Sequence, residues 1–304
     1  MERRRSSFTD TAALGGYRVA ALAARALPGI AAQGLAPALG FGASVASPER
    51  RAMIERHLRR ADPTIGGARL RRSVQEAFDS YTRYWLESFR LPHLRGSAVD
   101  RGMTVEGYVH VTDALAHGNG VILALPHLGG WEWAGRWLVE RGHGITVVVE
   151  EIQPPELFEW FADLRGQLGM RVVALGPAAG REVIAALKRN DVVCLLSDRD
   201  IQRTGVEVVF FGETTTLPAG PATISLRTGA PLLPTAVYFT DRTDGHLGIV
   251  RPPVDIGRSG DGLRSDVQRV TQSLALELEY LIHRAPHQWH LFQPNWPSDP
   301  GYDA

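Results

Sequence analysis

The stretch Val121-Ile122-Leu123-Ala124-Leu125-Pro126-His127-Leu128-Gly129-Gly130-Trp131-Glu132 decides how this chain folds. Five apolar residues headed by two β-branched ones read as a strand buried on both faces. Pro126 stops it, two glycines make the turn, and Trp131 opens an amphipathic stretch over residues 131–141 that reads as a helix. Strand, sharp turn and helix make the repeating unit of an open α/β sheet, and a residue just past the carboxyl end of such a strand stands where these sheets bind ligands. His127 occupies that place.

Downstream of this stretch the same alternation continues. Short β-branched runs at 145–149, 172–175, 192–196, 232–239 and 247–250 read as strands. Between and after them, residues 155–168, 178–189, 219–228 and 263–284 read as helices long enough for crossovers between neighbouring strands. The expected fold is α/β: a central mixed, largely parallel sheet flanked by helices. Upstream, Phe78, Tyr81, Tyr84, Trp85 and Phe89 follow helical spacing over 74–91, and Pro92 ends the run. Residues 8–60 read as helical hairpin material, an N-terminal amphipathic extension with Tyr17, Val19, Leu22, Ala26 and Ile30 on one face and Arg18 and Arg25 among them. Such a face looks the same whether it meets protein or lipid. The expected division is residues 1–73 as a membrane-associating helical region and 74–304 as the α/β domain, with the Pro- and Asp-rich tail 293–304 as a loose surface strap.

Composition narrows the function. At 304 residues and 44% hydrophobic, the chain can bury a large core. Lys+Arg 33 balance Asp+Glu 33, so no global field recruits nucleic acid. The one cysteine, Cys194, lies in an apolar run, which excludes an internal disulfide and suits a core thiol rather than a nucleophile. Residues 26–48 carry no charge and are long enough to cross a bilayer, but are Ala- and Gly-rich and broken by Pro28, Pro37 and Pro48.

His127 is the first candidate for chemistry, as a general base. Glu132, five residues on in the first helical turn, is expected to reach back to one imidazole nitrogen, fix the tautomer and stabilise the imidazolium. Gly129 and Gly130 let a substrate approach the backbone, and their N–H groups are the expected oxyanion donors. No second histidine lies at ligand spacing, so no metal is expected. Ser197-Asp198-Arg199-Asp200 follows the strand at 192–196 and should open on the same edge of the sheet as His127. Thr215 and Thr216 stand before Pro218, near an expected helix start whose free N–H groups suit an anion.

These segments form an ordered series with Val74-Gln75-Glu76-Ala77-Phe78, Asp163-Leu164-Arg165, Phe210-Phe211-Gly212 and Arg227-Thr228-Gly229-Ala230-Pro231. The series resembles the bacterial lipid A biosynthesis acyltransferase family, and within it the phosphatidylinositol mannoside acyltransferases, over most of the chain. The resemblance implies that His127 is the base and Glu132 its partner, and that Arg165, Asp198 and Asp200 line the acceptor site. Glu150 and Glu151 stand where many relatives carry basic or aromatic residues; carboxylates suit sugar hydroxyls rather than phosphate, which favours a mannose acceptor.

The expected activity is transfer of a palmitoyl-type chain from acyl-coenzyme A, without a further cofactor, to a mannose hydroxyl of a mannosylated phosphatidylinositol. The expected substrate-binding set is Glu150, Arg165, Asp198, Asp200, Gly129, Gly130 and Thr216. The acceptor is a membrane lipid, so the protein is expected to lie peripherally on the cytoplasmic side of the plasma or inner membrane, with Arg3, Arg4, Arg5, Arg50 and Arg51 meeting anionic head groups. Other readings are lipid A type lauroyl or myristoyl transfer, a lipid-binding protein that needs neither His127 nor Glu132, and a glycosidase pairing Glu132 with Glu150 or Asp198.

Overall fold

A computed structural model of the chain describes residue 15 and residues 21–302. Tyr17, Val19, Arg18 and the arginines at positions 3–5, all invoked for the N-terminal face, lie outside the described residues.

Seven strands form one sheet in the order β1-β9-β8-β2-β5-β3-β4: β1 (Met103–Glu106), β2 (Val121–Leu125), β3 (Ile145–Val149), β4 (Met170–Ala174), β5 (Val192–Leu196), β8 (Leu232–Phe239) and β9 (His246–Val250). Neighbours pair in parallel except β8 with β9, so β1 and β9 run against the other five. The expected largely parallel sheet is observed. A hairpin of β6 (Val206–Phe210) and β7 (Glu213–Leu217) stands apart from it. All five residues of β2 and all eight of β8 are buried, as strands covered on both faces must be.

Among the described residues, α-helices follow in chain order: α1 (Gly29–Ala46), α2 (Pro48–Ala61), α3 (Gly67–Arg90), α4 (Gly96–Gly102), α5 (Tyr108–Ala116), α6 (Trp131–Glu140), α7 (Pro155–Gln167), α8 (Ala179–Lys188), α9 (Gly220–Thr228) and α10 (Leu263–His283), with residues 21–26 also helical ahead of α1. One apolar core joins the sheet to α8, α9 and α10; a second joins it to α6 and the segment before β2. Central β2 is where the crossovers change direction, since β3, β4 and β5 lie on one side of it and β8 on the other. Its carboxyl end is therefore the expected ligand crevice.

Helix α3 runs unbroken through residues 73 and 74, so the N-terminal helices and the α/β unit share it. Helix α1 packs along α3 through small residues four apart, Ala32, Ala36, Gly40 and Ser44. At Gly40 the approach is so close that a Cβ there would stand 2.9 Å from the Asp79 backbone nitrogen. The other sides of α1 leave Ile30, Leu39, Phe41 and Val45 exposed.

The tail is not the loose strap its composition suggests. Trp296 is wholly buried and stacks on Phe210 at 5.6 Å. Asp299 receives Arg60 at 2.8 Å, Arg56 at 3.2 Å and the backbone N–H groups of Asn295 and Trp296. An aromatic anchor and a carboxylate with five partners hold the strap against α2 and the hairpin; residues 303–304 lie outside the described residues.

Candidate active site

Strands β2 and β5 pair in parallel with Leu125 opposite Leu196, so the residues two positions beyond each strand, His127 and Asp198, emerge side by side. The Asp198 carboxylate is fully buried; its Oδ1 accepts from His127 Nδ1 at 2.7 Å, and its Oδ2 accepts from the His127 backbone N–H at 3.0 Å and from the Trp289 indole N–H at 2.7 Å. Burial works against ionisation of Asp198, but the adjoining His127 and these hydrogen bonds outweigh it and hold the carboxyl below its usual range. An ionised carboxylate only accepts, so Nδ1 carries the imidazole proton and Nε2, on the far side of the ring, is left bare.

His127 lines a cavity of about 630 Å³. Polar groups, Glu150, Arg165, Arg199, Asp200 and His290, share its walls with a larger apolar set. That mixture suits a long-chain amphiphile carrying a polar head.

The sequence model for the bacterial lipid A biosynthesis acyltransferase family matches residues 13–298. This chain belongs to that family. It is 39% identical over 301 residues to a phosphatidylinositol mannoside acyltransferase of Mycobacterium tuberculosis, covering 97% of this chain and 92% of that protein. The protein of the same description from Mycolicibacterium smegmatis is 37% identical over 299 residues, covering 96% and 92%. The chain is an O-acyltransferase of lipid metabolism.

In this acyltransferase the nitrogen expected to meet Glu132 meets Asp198 instead. Glu132, in the first turn of α6, turns inward: its Oε1 accepts the Tyr84 hydroxyl at 2.6 Å and the Arg165 guanidinium at 3.0 Å, and no hydrogen bond joins it to His127 among the described residues. Burial pushes the Glu132 carboxyl above its ordinary range despite the pull of Arg165 and Tyr84, while Glu132 keeps Arg165 cationic against its own burial. Arg165 also lies over the Trp131 ring, 5.0 Å from its centroid, and reaches the cavity wall. Glu132 thus ties α6, α3 and α7 together beneath the cavity.

Four further expectations change. Asp198, placed in the acceptor site by the resemblance, is buried behind His127 instead of lining the cavity. Gly129 and Gly130 have no N–H to offer an oxyanion, because these groups donate to the carbonyls of Gln288 and Val237 at 3.0 and 3.2 Å. Gly129 has φ +59° and packs so tightly on the Val237 carbonyl that no Cβ fits, so its role is close approach to β8. Thr216 lies in β7, ahead of α9, with its hydroxyl on Asp200 at 2.9 Å; Asp200 also takes the Gly205 N–H at 2.8 Å and so braces the loop while reaching the cavity wall. Glu150 stands exposed at the cavity, 3.9 Å from Arg199.

Trp289 and His290 were not anticipated. They follow α10, and Leu128 bridges to Trp289 as a short antiparallel pair, with the His290 N–H donating to the His127 carbonyl at 2.6 Å. Burial, and then the neighbouring His127, push the His290 imidazole down to about 3, so it is neutral beside His127. The only sequence signal was the aromatic density of 289–296.

Proposed function

We propose that this enzyme transfers a palmitoyl-type chain from acyl-coenzyme A to a mannose hydroxyl, the primary one at the 6-position, of a phosphatidylinositol mannoside. The His127–Asp198 pair at the wall of a large, mostly apolar cavity carries this reading, and the names of the two mycobacterial relatives support the acceptor. His127 Nε2 takes the proton of the sugar hydroxyl as its oxygen attacks the thioester carbonyl. The tetrahedral intermediate then expels the coenzyme A thiolate, which recovers the proton from the imidazolium. Asp198 fixes the tautomer and offsets the imidazolium charge; Arg165 supplies a cation at the cavity wall for developing negative charge. Glu150 is suited to accept hydrogen bonds from sugar hydroxyls.

The acceptor is a membrane lipid, and the exposed face of α1 gives the enzyme a means to reach it. Helix α1 is long and apolar enough to cross a membrane, with a mean hydropathy of 1.2, yet one side of it is taken up by α3. We therefore read it as lying at the lipid surface from the cytoplasmic side, with Phe41 and Val45 dipping into the acyl boundary and exposed Arg50 near head groups, while Arg51 donates to Ser44 on the packed side of the helix.

One assay tests both readings: labelled palmitate from palmitoyl-coenzyme A is followed into purified phosphatidylinositol mannosides, presented in anionic vesicles or in detergent micelles. Wild type should transfer from both. The double variant Leu39→Glu/Phe41→Glu should lose most transfer in vesicles and keep it in micelles. Acylation of a lipid A precursor but of no mannolipid would refute the acceptor, and equal vesicle activity in the double variant would refute the membrane face.

A further inference from the structure

The buried Asp198 carboxylate keeps its charge through three N–H donors. Two belong to His127, whose Nδ1–H meets Oδ1 at 2.7 Å and whose backbone N–H meets Oδ2 at 3.0 Å. The third, the Trp289 indole N–H at 2.7 Å from Oδ2, alone comes from outside the turn that carries His127. The indole is itself buried, only donates, and does not titrate. With two N–H groups aimed at Oδ2, a proton has no place on that oxygen, and Oδ1 faces His127 Nδ1.

Trp289 is held in this position from both sides along the chain. The Gln288 side chain bonds the Phe239 backbone N–H and carbonyl in β8 at 2.8 and 3.1 Å, and the Gln288 carbonyl accepts the Gly129 N–H at 3.0 Å. Beyond it, the Leu291 carbonyl lies 2.9 Å from His57 Nδ1 in α2. The indole packs against Phe211 and Trp296, with ring centroids 5.5 and 6.2 Å away. Trp289 does not line the cavity. The other charged or titratable groups near the pair, Glu150, Arg165, Arg199, Asp200 and His290, share the cavity wall with His127, and among the described residues none of them bonds the Asp198 carboxylate.

We propose that Trp289 is a positioning residue for the transfer reaction: its indole N–H holds Asp198 as an ionised acceptor on His127 Nδ1, and so keeps Nε2 free for the hydroxyl proton. The proposal rests on the reading of His127 and Asp198 as the base and its partner. Without this N–H, one lone pair of a buried carboxylate goes unmatched and the carboxylate becomes more basic. The His127–Asp198 pair then takes up a proton at higher pH. That proton occupies the base, so activity is lost from the acid side, while the cavity wall that meets the substrates is unchanged.

The test compares wild type, His127→Ala and Trp289→Phe, with a fourth enzyme in which Trp289 is replaced by 3-benzothienylalanine, a fused ring of the same shape with sulfur in place of the N–H. Each is first shown to be folded by its thermal transition; the sulfur isostere decides the matter if Trp289→Phe does not fold. Two quantities are followed against pH: kcat for transfer from palmitoyl-coenzyme A to phosphatidylinositol mannosides, and the ring carbon resonance of ¹³C-labelled His127, identified by its loss in His127→Ala. Removing the N–H should move the acid limb of kcat and the His127 titration to higher pH together, by roughly one pH unit. The variant is then about tenfold slower on that limb and approaches wild type above it. An unshifted titration in a folded variant overturns the proposal, and so does a loss that is equal at every pH. A shifted titration beside a His127→Ala enzyme of near wild-type kcat sustains the role of Trp289 toward Asp198 and refutes the base reading. An unshifted titration beside a collapsed His127→Ala does the reverse.

Discussion

An enzyme carrying His127→Ala should fold with a somewhat lowered thermal transition, because the buried Asp198 carboxylate loses its imidazole partner, should bind palmitoyl-coenzyme A, and should transfer palmitate about 10² to 10⁴ times more slowly. The side chain is partly exposed at the cavity wall, so its removal opens little space in the core. The backbone contacts that shape the turn, to Asp198, Gln288 and His290, do not involve the imidazole. What is lost is the bare Nε2, which in the proposed mechanism takes the hydroxyl proton. The loss should fall on kcat rather than on donor KM, because in the proposed mechanism the imidazole acts on the proton in flight and the rest of the cavity wall is unchanged. A variant with near wild-type kcat would remove His127 from the chemistry and favour a lipid-binding role.

Asp299→Asn should lower stability by about 3 kcal/mol, roughly 5–10 °C in thermal unfolding at neutral pH. The carboxylate serves two arginines, His57 and two backbone N–H groups at once, and the amide has neither the charge nor the acceptor capacity to replace it. Burial opposes ionisation of Asp299, but the hydrogen bonds from His57 and from the Asn295 N–H, with Arg60, hold its carboxyl well below the usual range. Because the folded value is depressed, the stabilisation is complete above the unfolded carboxylate range, near pH 4, and is lost as pH falls below it. The gap between wild type and Asp299→Asn should therefore be widest at neutral pH and narrow toward about pH 3; a constant gap would contradict the assignment. Because Asn295 Nδ2 donates to the Asp198 carbonyl at 3.0 Å, loosening the strap should cost activity as well.

The fold was legible where burial is two-sided. Strands β2, β3, β5 and β8 are found at the residues read from the sequence, because strands inside the sheet are mostly buried and mostly apolar, with few polar breaks such as Thr146 and Thr235. Edge strand β4 begins two residues before its expected start, since exposed Arg171 interrupts the run. Strand β1, with Met103 as its one buried residue, left no readable pattern, and neither did the short helices α4 and α5 around it.

Within the site, His127 was legible from the strand-turn-helix pattern, but its partner was misassigned. Glu132 is close in sequence and so drew the role, whereas Asp198 lies 71 residues away and joins His127 only through the β2–β5 register. The equal offsets, two residues past each strand, were present in the sequence; that these two strands are neighbours was not. Trp289 and His290 reach the site from a strap after the last long helix, a placement that depends on the docking of Trp296 and Asp299. Thr216 was misread because a two-strand hairpin ends where a helix start was expected.

If Asp198, not Glu132, makes His127 a base, the two partners separate in kcat for palmitoyl transfer by Asp198→Asn beside Glu132→Gln. An asparagine amide facing Nδ1 forces the proton onto Nε2 and removes the base, so Asp198→Asn should lose on the order of 10³ to 10⁴ in kcat. Glu132→Gln should lose stability and weaken substrate binding through a displaced Arg165, with kcat reduced about tenfold or less. A Glu132→Gln enzyme as slow as His127→Ala, beside an Asp198→Asn enzyme that turns over normally, would contradict the account.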